Sequence, residues 1–104
     1  MSNNDPLDLP AGEKAEAAHK EMLRLAARQE VEDLKWLMSD KRGRRFMWAT
    51  LAKTGLYRNP FAPSADSVTA FNCGMQNVGQ ILQAFILAHC PHLYSSMTTE
   101  NGTK

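Results

Sequence analysis

The sequence predicts an all-α protein, a small helical bundle of three to four helices with a long C-terminal core helix and an N-terminal helical arm. Its clearest element is the segment from Asp66 to Cys90, where apolar residues recur at alternating steps of four and three. Residues 12–34 are rich in strong helix formers, and the segment after Asp40 runs from a capping residue to a helix-ending glycine, Gly55. With 104 residues and 43% hydrophobic content, the chain has enough apolar residues for one small domain with a modest core.

Both ends of the chain are predicted to be flexible. Residues 1–11 are polar and contain Pro6 and Pro10, which predicts a flexible arm; the functional alternative is a segment that orders against a neighbouring subunit. Residues 12–100 are predicted to form a single helical domain, followed by a flexible tail at residues 101–104.

The first predicted helix begins near Gly12 and has a weak apolar side made mostly of alanine. The sequence leaves open whether this helix docks against others or stands out as a charged arm. No glycine or proline interrupts the chain before Ser39, so its continuation through Leu34 is also left open. A dense apolar group just before Ser39 is expected to pack: Val31, Leu34, Trp36, Leu37 and Met38.

A second helix is predicted from Lys41, because residues 39–40 are good caps and Gly55 suits the left-handed position that ends a helix. Its two large aromatic residues, Phe46 and Trp48, are expected in the core. Residues 56–64 contain two prolines and are predicted to form an irregular loop, anchored on the core by Tyr57 and Phe61.

The long helix is expected to measure roughly 37 Å and to cross the whole domain. Asp66 or Ser67 is its predicted cap, and Pro91 ends it and begins a short final helix to Thr99. One side of the long helix carries a regular stripe: Phe71, Met75, Val78, Leu82, Phe85 and His89.

Two glycines lie inside the long helix, where each costs about 1 kcal/mol relative to alanine. Close approach of a neighbouring helix is the expected compensation. Gly74, Gly79 and the intervening Asn77 are therefore predicted as helix close-packing positions.

The two cysteines, Cys73 and Cys90, would lie about 25 Å apart on this helix, too far for a disulfide. We expect both to be reduced and the protein to be made in a cytoplasm. The longest apolar run, residues 81–88, is too short to span a bilayer, and residues 1–11 lack the features of a signal peptide.

Charge is segregated along the chain although the net charge is only +1. The first forty residues hold nine acidic and five basic residues, whereas residues 41–58 hold six basic residues and no acidic one. Three interpretations stay open for this basic surface: contact with nucleic acid, an ion-pair surface within or between subunits (with Glu30, Glu32 and Asp33 as local partners), and a solvated face. The ion-pair surface is favoured. Its residues are Lys41, Arg42, Arg44, Arg45, Lys53 and Arg58.

No motif in the chain predicts catalysis, a cofactor, a metal site or a small-molecule substrate. The run from His89 to His92 matches no usual zinc spacing, and Cys73 and Cys90 have no base positioned beside them in sequence. The glycines at 74 and 79 lie in mid-helix, not after a strand, which disfavours a phosphate-binding loop. We therefore expect no catalytic residues.

An ordered series of residues with characteristic gaps runs over roughly two-thirds of the chain: Asp33, Leu34, Gly43, Arg44, Arg45, Trp48, Leu51, Gly55, Tyr57, Phe61, Ser64, Phe71, Gly74, Asn77, Val78, Gly79, Pro91, Tyr94, Met97 and Glu100. This series resembles the Bbp19-like family, a small, poorly characterised phage domain family first catalogued in a Bordetella podovirus, where its gene lies among those for head structure. That family usually has Arg where Gln76 stands here. The resemblance implies an α-helical protein encoded with the virion, and it supplies no catalytic residues.

These observations lead to the hypothesis of a non-enzymatic phage virion or head-morphogenesis protein that acts through protein–protein contacts, at the portal or internal core. Its expected partners are other phage structural proteins or copies of itself, and its expected location is the virion after synthesis in the host cytoplasm. The alternative is a small nucleic-acid-binding module that uses the basic cluster at residues 41–45. A phage factor that inhibits a host protein is a third hypothesis.

Overall fold

The computed structural model describes residues 11–63 and 65–102. The first ten residues of the arm predicted over residues 1–11 and the last two residues of the predicted tail therefore lie outside the described residues, whereas Ala11 begins the first helix. Within the described part there are four helices and no strand, which confirms the predicted all-α bundle with a long helix near the C-terminus. The helices are α1 (Ala11–Met38), α2 (Lys41–Lys53), α3 (Asp66–His89) and α4 (Pro91–Gly102).

The chain divides into two compact units, with the boundary between Glu32 and Asp33. The sequence analysis had predicted one domain over residues 12–100. The boundary falls inside α1, which continues through Leu34 to Met38 and so settles the length of the first helix. Near the C-terminus, α4 continues past its predicted end at Thr99 to Gly102, within the segment predicted as a tail.

The first unit, as far as it is described, is a charged helix with exposed side chains. Ion pairs join Lys20 to Glu16 and Arg24 to Glu21 along its surface, at 3.6 and 2.6 Å. The spacings of four and three residues put each pair on one face of the helix. Its large apolar residues, Met22, Leu23 and Leu25, are all at least half exposed.

The second unit has the hydrophobic core. Buried side chains come from the last turns of α1, from α2, α3 and α4, and from the junction between α3 and α4. The spacings of four residues within α1 and α2 place their core residues on one side of each helix. The fully or nearly fully buried apolar residues are Leu34, Met38, Met47, Leu51, Ile86, Cys90 and Met97.

The ends of α2 follow from local sequence. Asp40 caps its first turn by accepting a hydrogen bond from the backbone N–H of Arg42 at 2.9 Å, as predicted. Gly55 follows the last turn with φ of 74°, a conformation that glycine adopts without steric cost. A Cβ at Gly43 would collide with the backbone carbonyl of Leu37, so glycine is required where α2 passes the end of α1.

One expectation for α3 is wrong. Its N-cap is Ala65, which makes no side-chain capping bond, whereas Asp66 lies in the first turn. The buried positions of α3 are Gly79 and Ile86. Within the predicted stripe Phe71 is 66% exposed, whereas Leu82 and Phe85 pack partly against the core. The regular spacing identifies an apolar side correctly, but the rest of the unit packs against the side on which Gly79 permits close approach.

Candidate interaction surface

The predicted basic surface is divided, because Arg44 points into the second unit. Its Nε and Nη2 donate to the two carboxylate oxygens of Glu100 at 2.7 and 2.9 Å, and its Nη1 donates to the carbonyl of Met38 at 2.9 Å. The side chains of Arg44 and Glu100 are only 13% and 21% exposed. Hydrogen bonding from Arg44 lowers the pKa of Glu100 below its usual value. The predicted pairing with Glu30, Glu32 and Asp33 is wrong for Arg44, whose carboxylate partner belongs to α4.

Arg58 also makes a hydrogen bond within the chain. Its Nη2 donates to the carbonyl of Ala52 at 3.0 Å, which also accepts from the backbone N–H of Gly55 at the end of α2. Lys53 lies beside it on the rim of a pocket of about 170 Å³, which Phe71 and Met75 of α3 also line. The four basic residues that remain on the exposed surface of α2 are Lys41, Arg42, Arg45 and Lys53.

A larger open pocket lies at the turn between α1 and α2, and its volume is about 400 Å³. Trp36 and Phe46 are 77% and 64% exposed, which contradicts the expectations that Phe46 lies in the core and that Trp36 packs with its apolar neighbours. Arg42 and Asp40 bring opposite charges to the same pocket. We call it the Trp36 pocket; its lining is Trp36, Leu37, Ser39, Asp40, Arg42, Gly43 and Phe46.

The other aromatic residue of α2 packs inside the unit. Trp48 stacks on Tyr57 with ring centroids 5.1 Å apart, which anchors the loop as predicted for Tyr57. The hydroxyls of Tyr57 and Tyr94 lie 2.6 Å apart, and Gln83 donates to Tyr94 at 2.8 Å. Burial, followed by the bond to Tyr94, raises the pKa of Tyr57 above its usual value. Sequence reasoning missed this network because no local pattern relates these residues. Phe61, which was predicted to anchor the same loop, is 63% exposed.

The three predicted close-packing positions have different surroundings in the structure. A Cβ at Gly79 would collide with the side chain of Thr54 and lie 3.1 Å from Leu56, so the glycine allows α3 to approach the end of α2. A Cβ at Gly74 would meet nothing within 4 Å, and Asn77 is exposed. The prediction is therefore wrong for Gly74 and Asn77 within this chain.

Gln76 holds the loop after α2 through its side-chain amide. Its Nε2 lies 3.3, 3.4 and 2.9 Å from the carbonyl oxygens of Gly55, Leu56 and Arg58. One side chain of α3 thereby ties three backbone carbonyls of the loop after α2. Gln76 was not predicted as a functional or structural site; its polar type on a helix otherwise poor in charge was the available signal.

Residues 34–99 of the 104-residue chain match the model of a family described as Bbp19-like phage protein. The chain belongs to this Bbp19-like family. The match confirms the resemblance found in the sequence, and it lies within the second unit, whereas the charged part of α1 precedes it. Searches of curated proteins and of solved structures gave no significant match.

Across residues 11–63 and 65–102, no three His, Cys, Asp or Glu side chains are grouped so that they could hold a metal ion. In the same residues, no helix combines the length and apolar character needed to cross a membrane. Of the two cysteines, Cys73 is exposed and Cys90 is buried, and both are free.

Proposed function

We propose that this Bbp19-like protein is a non-enzymatic phage virion or head-morphogenesis protein that acts by binding other phage structural proteins, at the portal or internal core. The family supports a phage protein. The single observation that carries the proposed mode of action is the Trp36 pocket, where two large aromatic side chains are exposed on well-formed helices.

Such a pocket has the composition of a binding hot spot. Tryptophan and other aromatic residues dominate the energy of protein interfaces when a partner covers them, and the surrounding contacts exclude water. In the Trp36 pocket the indole of Trp36 and the ring of Phe46 supply the apolar area, while Asp40 and Arg42 supply one charge of each sign. A partner that inserts an apolar side chain between the two rings and pairs with the rim charges would fit this arrangement.

Quantitative mass spectrometry of purified particles and of assembly intermediates tests this proposal. The unmodified chain is expected in particles or intermediates, and Trp36→Ala is expected to reduce its incorporation at least tenfold without loss of helicity. Leu23→Ala, which removes an exposed apolar side chain from the first unit, is the matched control and should incorporate normally. Absence of the unmodified chain from every particle and intermediate would reject the proposal.

A specific observation favours a nucleic-acid-binding module as the second candidate. Four cations are exposed on α2, and the helix carries no acidic residue. Each phosphate contact contributes about 0.9 to the slope of log affinity against log salt, so four contacts would lower affinity roughly a hundredfold between 50 and 200 mM salt.

The corresponding test replaces Lys41, Arg42, Arg45 and Lys53 with Gln and measures retention of DNA and RNA at low salt. The charge-matched control replaces four cations of α1 with Gln: Lys14, Lys20, Arg24 and Arg28. Loss of binding in the first variant only would support this candidate. No binding by the unmodified protein at low salt would eliminate it.

A further inference from the structure

We propose that residues 1–10 bind, in a second copy of this chain, the pocket at the end of α2 that Lys53 and Arg58 line. We call it the Lys53 pocket; its volume is about 170 Å³, and Phe71 and Met75 of α3 also line it. This contact uses a different surface from the Trp36 pocket, so the two proposals stand or fall separately.

The charge of the Lys53 pocket selects a negatively charged ligand. Lys53 and Arg58 are both exposed, and among the described residues no acidic side chain lines the pocket. Two cations at one site repel each other and attract an anion. An acidic ligand is therefore favoured there, whereas a basic one is repelled.

The Lys53 pocket also has an apolar part, which a simple anion would not use. Phe71 is 66% exposed and Met75 is 36% exposed, and both line the pocket. A ligand that carried only charge would leave these two side chains in contact with water. The composition fits a ligand that has carboxylates and apolar groups side by side.

The volume of the Lys53 pocket limits the ligand to one or two side chains. Pockets for small organic ligands and cofactors measure about 300 to 1,000 Å³. This pocket is smaller, at about 170 Å³. A peptide segment, which places a side chain in the pocket while its backbone stays outside, fits this volume better than a cofactor does.

The loop that forms part of the Lys53 pocket is held in place before any ligand binds. Asn72 Nδ2 donates to the carbonyl of Pro60 at 3.1 Å, and Gln76 Nε2 donates to the carbonyl of Arg58 at 2.9 Å. Both bonds tie the loop after α2 to α3. Because the loop is already fixed, binding costs little additional ordering of the pocket.

Residues 1–10 have the chemistry that the Lys53 pocket selects. Their acidic residues are Asp5 and Asp8, and they include no lysine or arginine. Leu7 and Leu9 flank the second carboxylate. Asp8 can therefore pair with one of the two cations while a neighbouring leucine covers Phe71.

The length of the first unit's helix favours a second copy as the source of the segment. From Ala11 to Glu32 the helix rises about 32 Å. The chain from Asp5 to Ala11 spans at most about 21 Å when fully extended. It cannot return along the helix to the boundary with the second unit, whereas a neighbouring copy can approach it freely.

Such a contact is heterologous, because the segment of one copy meets the pocket of the next. Its repetition gives an open chain of copies or a closed ring. Ion pairs at exposed side chains are weak and are screened by salt. We therefore expect association at micromolar or higher concentration that declines as the salt concentration rises.

Sedimentation velocity of the full chain over micromolar to millimolar concentrations, at low and high salt, tests the proposal. The unmodified chain should associate at low salt. The segment variant, Asp5→Asn with Asp8→Asn, and the pocket variant, Lys53→Gln with Phe71→Gln, should each weaken this association at least fivefold. Circular dichroism should show the same helicity in all three proteins.

The control variant is Leu25→Gln with Arg28→Gln, which changes one exposed apolar residue and one exposed cation of α1, as the pocket variant does on the second unit. It should associate like the unmodified chain. The segment variant removes no cation, so its effect cannot arise from loss of contact with nucleic acid.

An equal mixture of the segment variant and the pocket variant gives the sharpest test. The first keeps an intact pocket and the second keeps an intact segment, so one contact per pair remains possible. The mixture should therefore form a 1:1 dimer that grows no further, at concentrations where each variant alone is monomeric.

Three results would overturn the proposal. The first is an unmodified chain that stays monomeric throughout the concentration range at low salt. The second is a segment variant that associates as tightly as the unmodified chain, since another part of the chain would then make the contact. The third is a mixture that stays monomeric at concentrations where the unmodified chain associates.

Discussion

Arg44 and Glu100 form a two-point ion pair between the first turn of α2 and the last turn of α4, with donor–acceptor distances of 2.7 and 2.9 Å. The same guanidinium also bonds the carbonyl of Met38 at the end of α1. One side chain therefore joins three helices of the second unit. Arg44 lies inside the region that the family model matches, and Glu100 directly follows the last matched residue. We interpret this pair as part of the framework of the fold.

The first prediction concerns this pair. Arg44→Lys should lower the melting temperature, because an ammonium group cannot reproduce the paired geometry of the guanidinium on the two oxygens of Glu100. Arg45→Lys is the matched control, since Arg45 is exposed on the same helix, and it should leave the melting temperature unchanged. Equal melting temperatures for all three proteins in thermal unfolding would contradict the assignment.

The same pair predicts a dependence of stability on pH. The pKa of Glu100 is lowered in the folded state, so its contribution to stability is present above its ordinary pKa of about 4.3 and is lost as pH falls through the lowered value. Thermal unfolding between pH 7 and pH 3 should therefore show a smaller fall for Glu100→Gln than for the unmodified chain. Parallel curves would contradict this prediction.

Replacing each of the two glycines of α3 with alanine should have opposite effects on stability. Gly79→Ala should destabilise by about 1 to 3 kcal/mol, because the new methyl group meets Thr54, whose hydroxyl is held by the carbonyl of Leu51 at 2.6 Å. Gly74→Ala should stabilise by about 0.5 to 1 kcal/mol, because its Cβ meets nothing and alanine favours the helix. Denaturant unfolding at a concentration where the chain is monomeric measures both. The same sign for both variants would show that the packing of α3 differs from this description.

Gln76 predicts a third comparison. Gln76→Ala should destabilise by about 1 kcal/mol, because the carbonyls after α2 lose their donor, whereas Gln76→Arg keeps donors in reach and should cost less. Gln80→Ala, at an exposed position of the same helix, should have little effect. If Gln76→Ala and Gln80→Ala were equally stable by denaturant unfolding, Gln76 would not hold the loop.

The tyrosine pair gives a fifth prediction, which applies in alkaline solution. Because the pKa of Tyr57 is raised in the folded state, tyrosinate absorbance should appear at higher pH in the folded than in the unfolded chain. The neutral hydroxyl stabilises the fold below the ordinary pKa of about 10, and that stability declines as pH rises beyond it. Tyr94→Phe should bring the titration of Tyr57 closer to its ordinary range. An unchanged titration curve in Tyr94→Phe would contradict the proposed bond.

The sequence predicted those features that depend on neighbours in the chain. The periodicity of α3, the cap at Asp40 and the helix end at Gly55 are local, since each follows from the conformational preferences of a few adjacent residues. The family resemblance was also readable, because it rests on the order and spacing of residues along the chain.

The tertiary structure decided which side of each helix is covered and which charged side chains form ion pairs. The largest apolar side chains of α3 form the regular stripe, so the pattern could not tell that the side bearing Gly79 packs inward while Phe71 stays exposed. The carboxylate of Glu100 reaches Arg44 only because α2 and α4 lie together, and nearer acidic residues in the sequence made other partners look equally suitable. Periodicity specifies an angle around one helix axis, whereas burial and ion pairing depend on distances between helices, which only the folded chain defines.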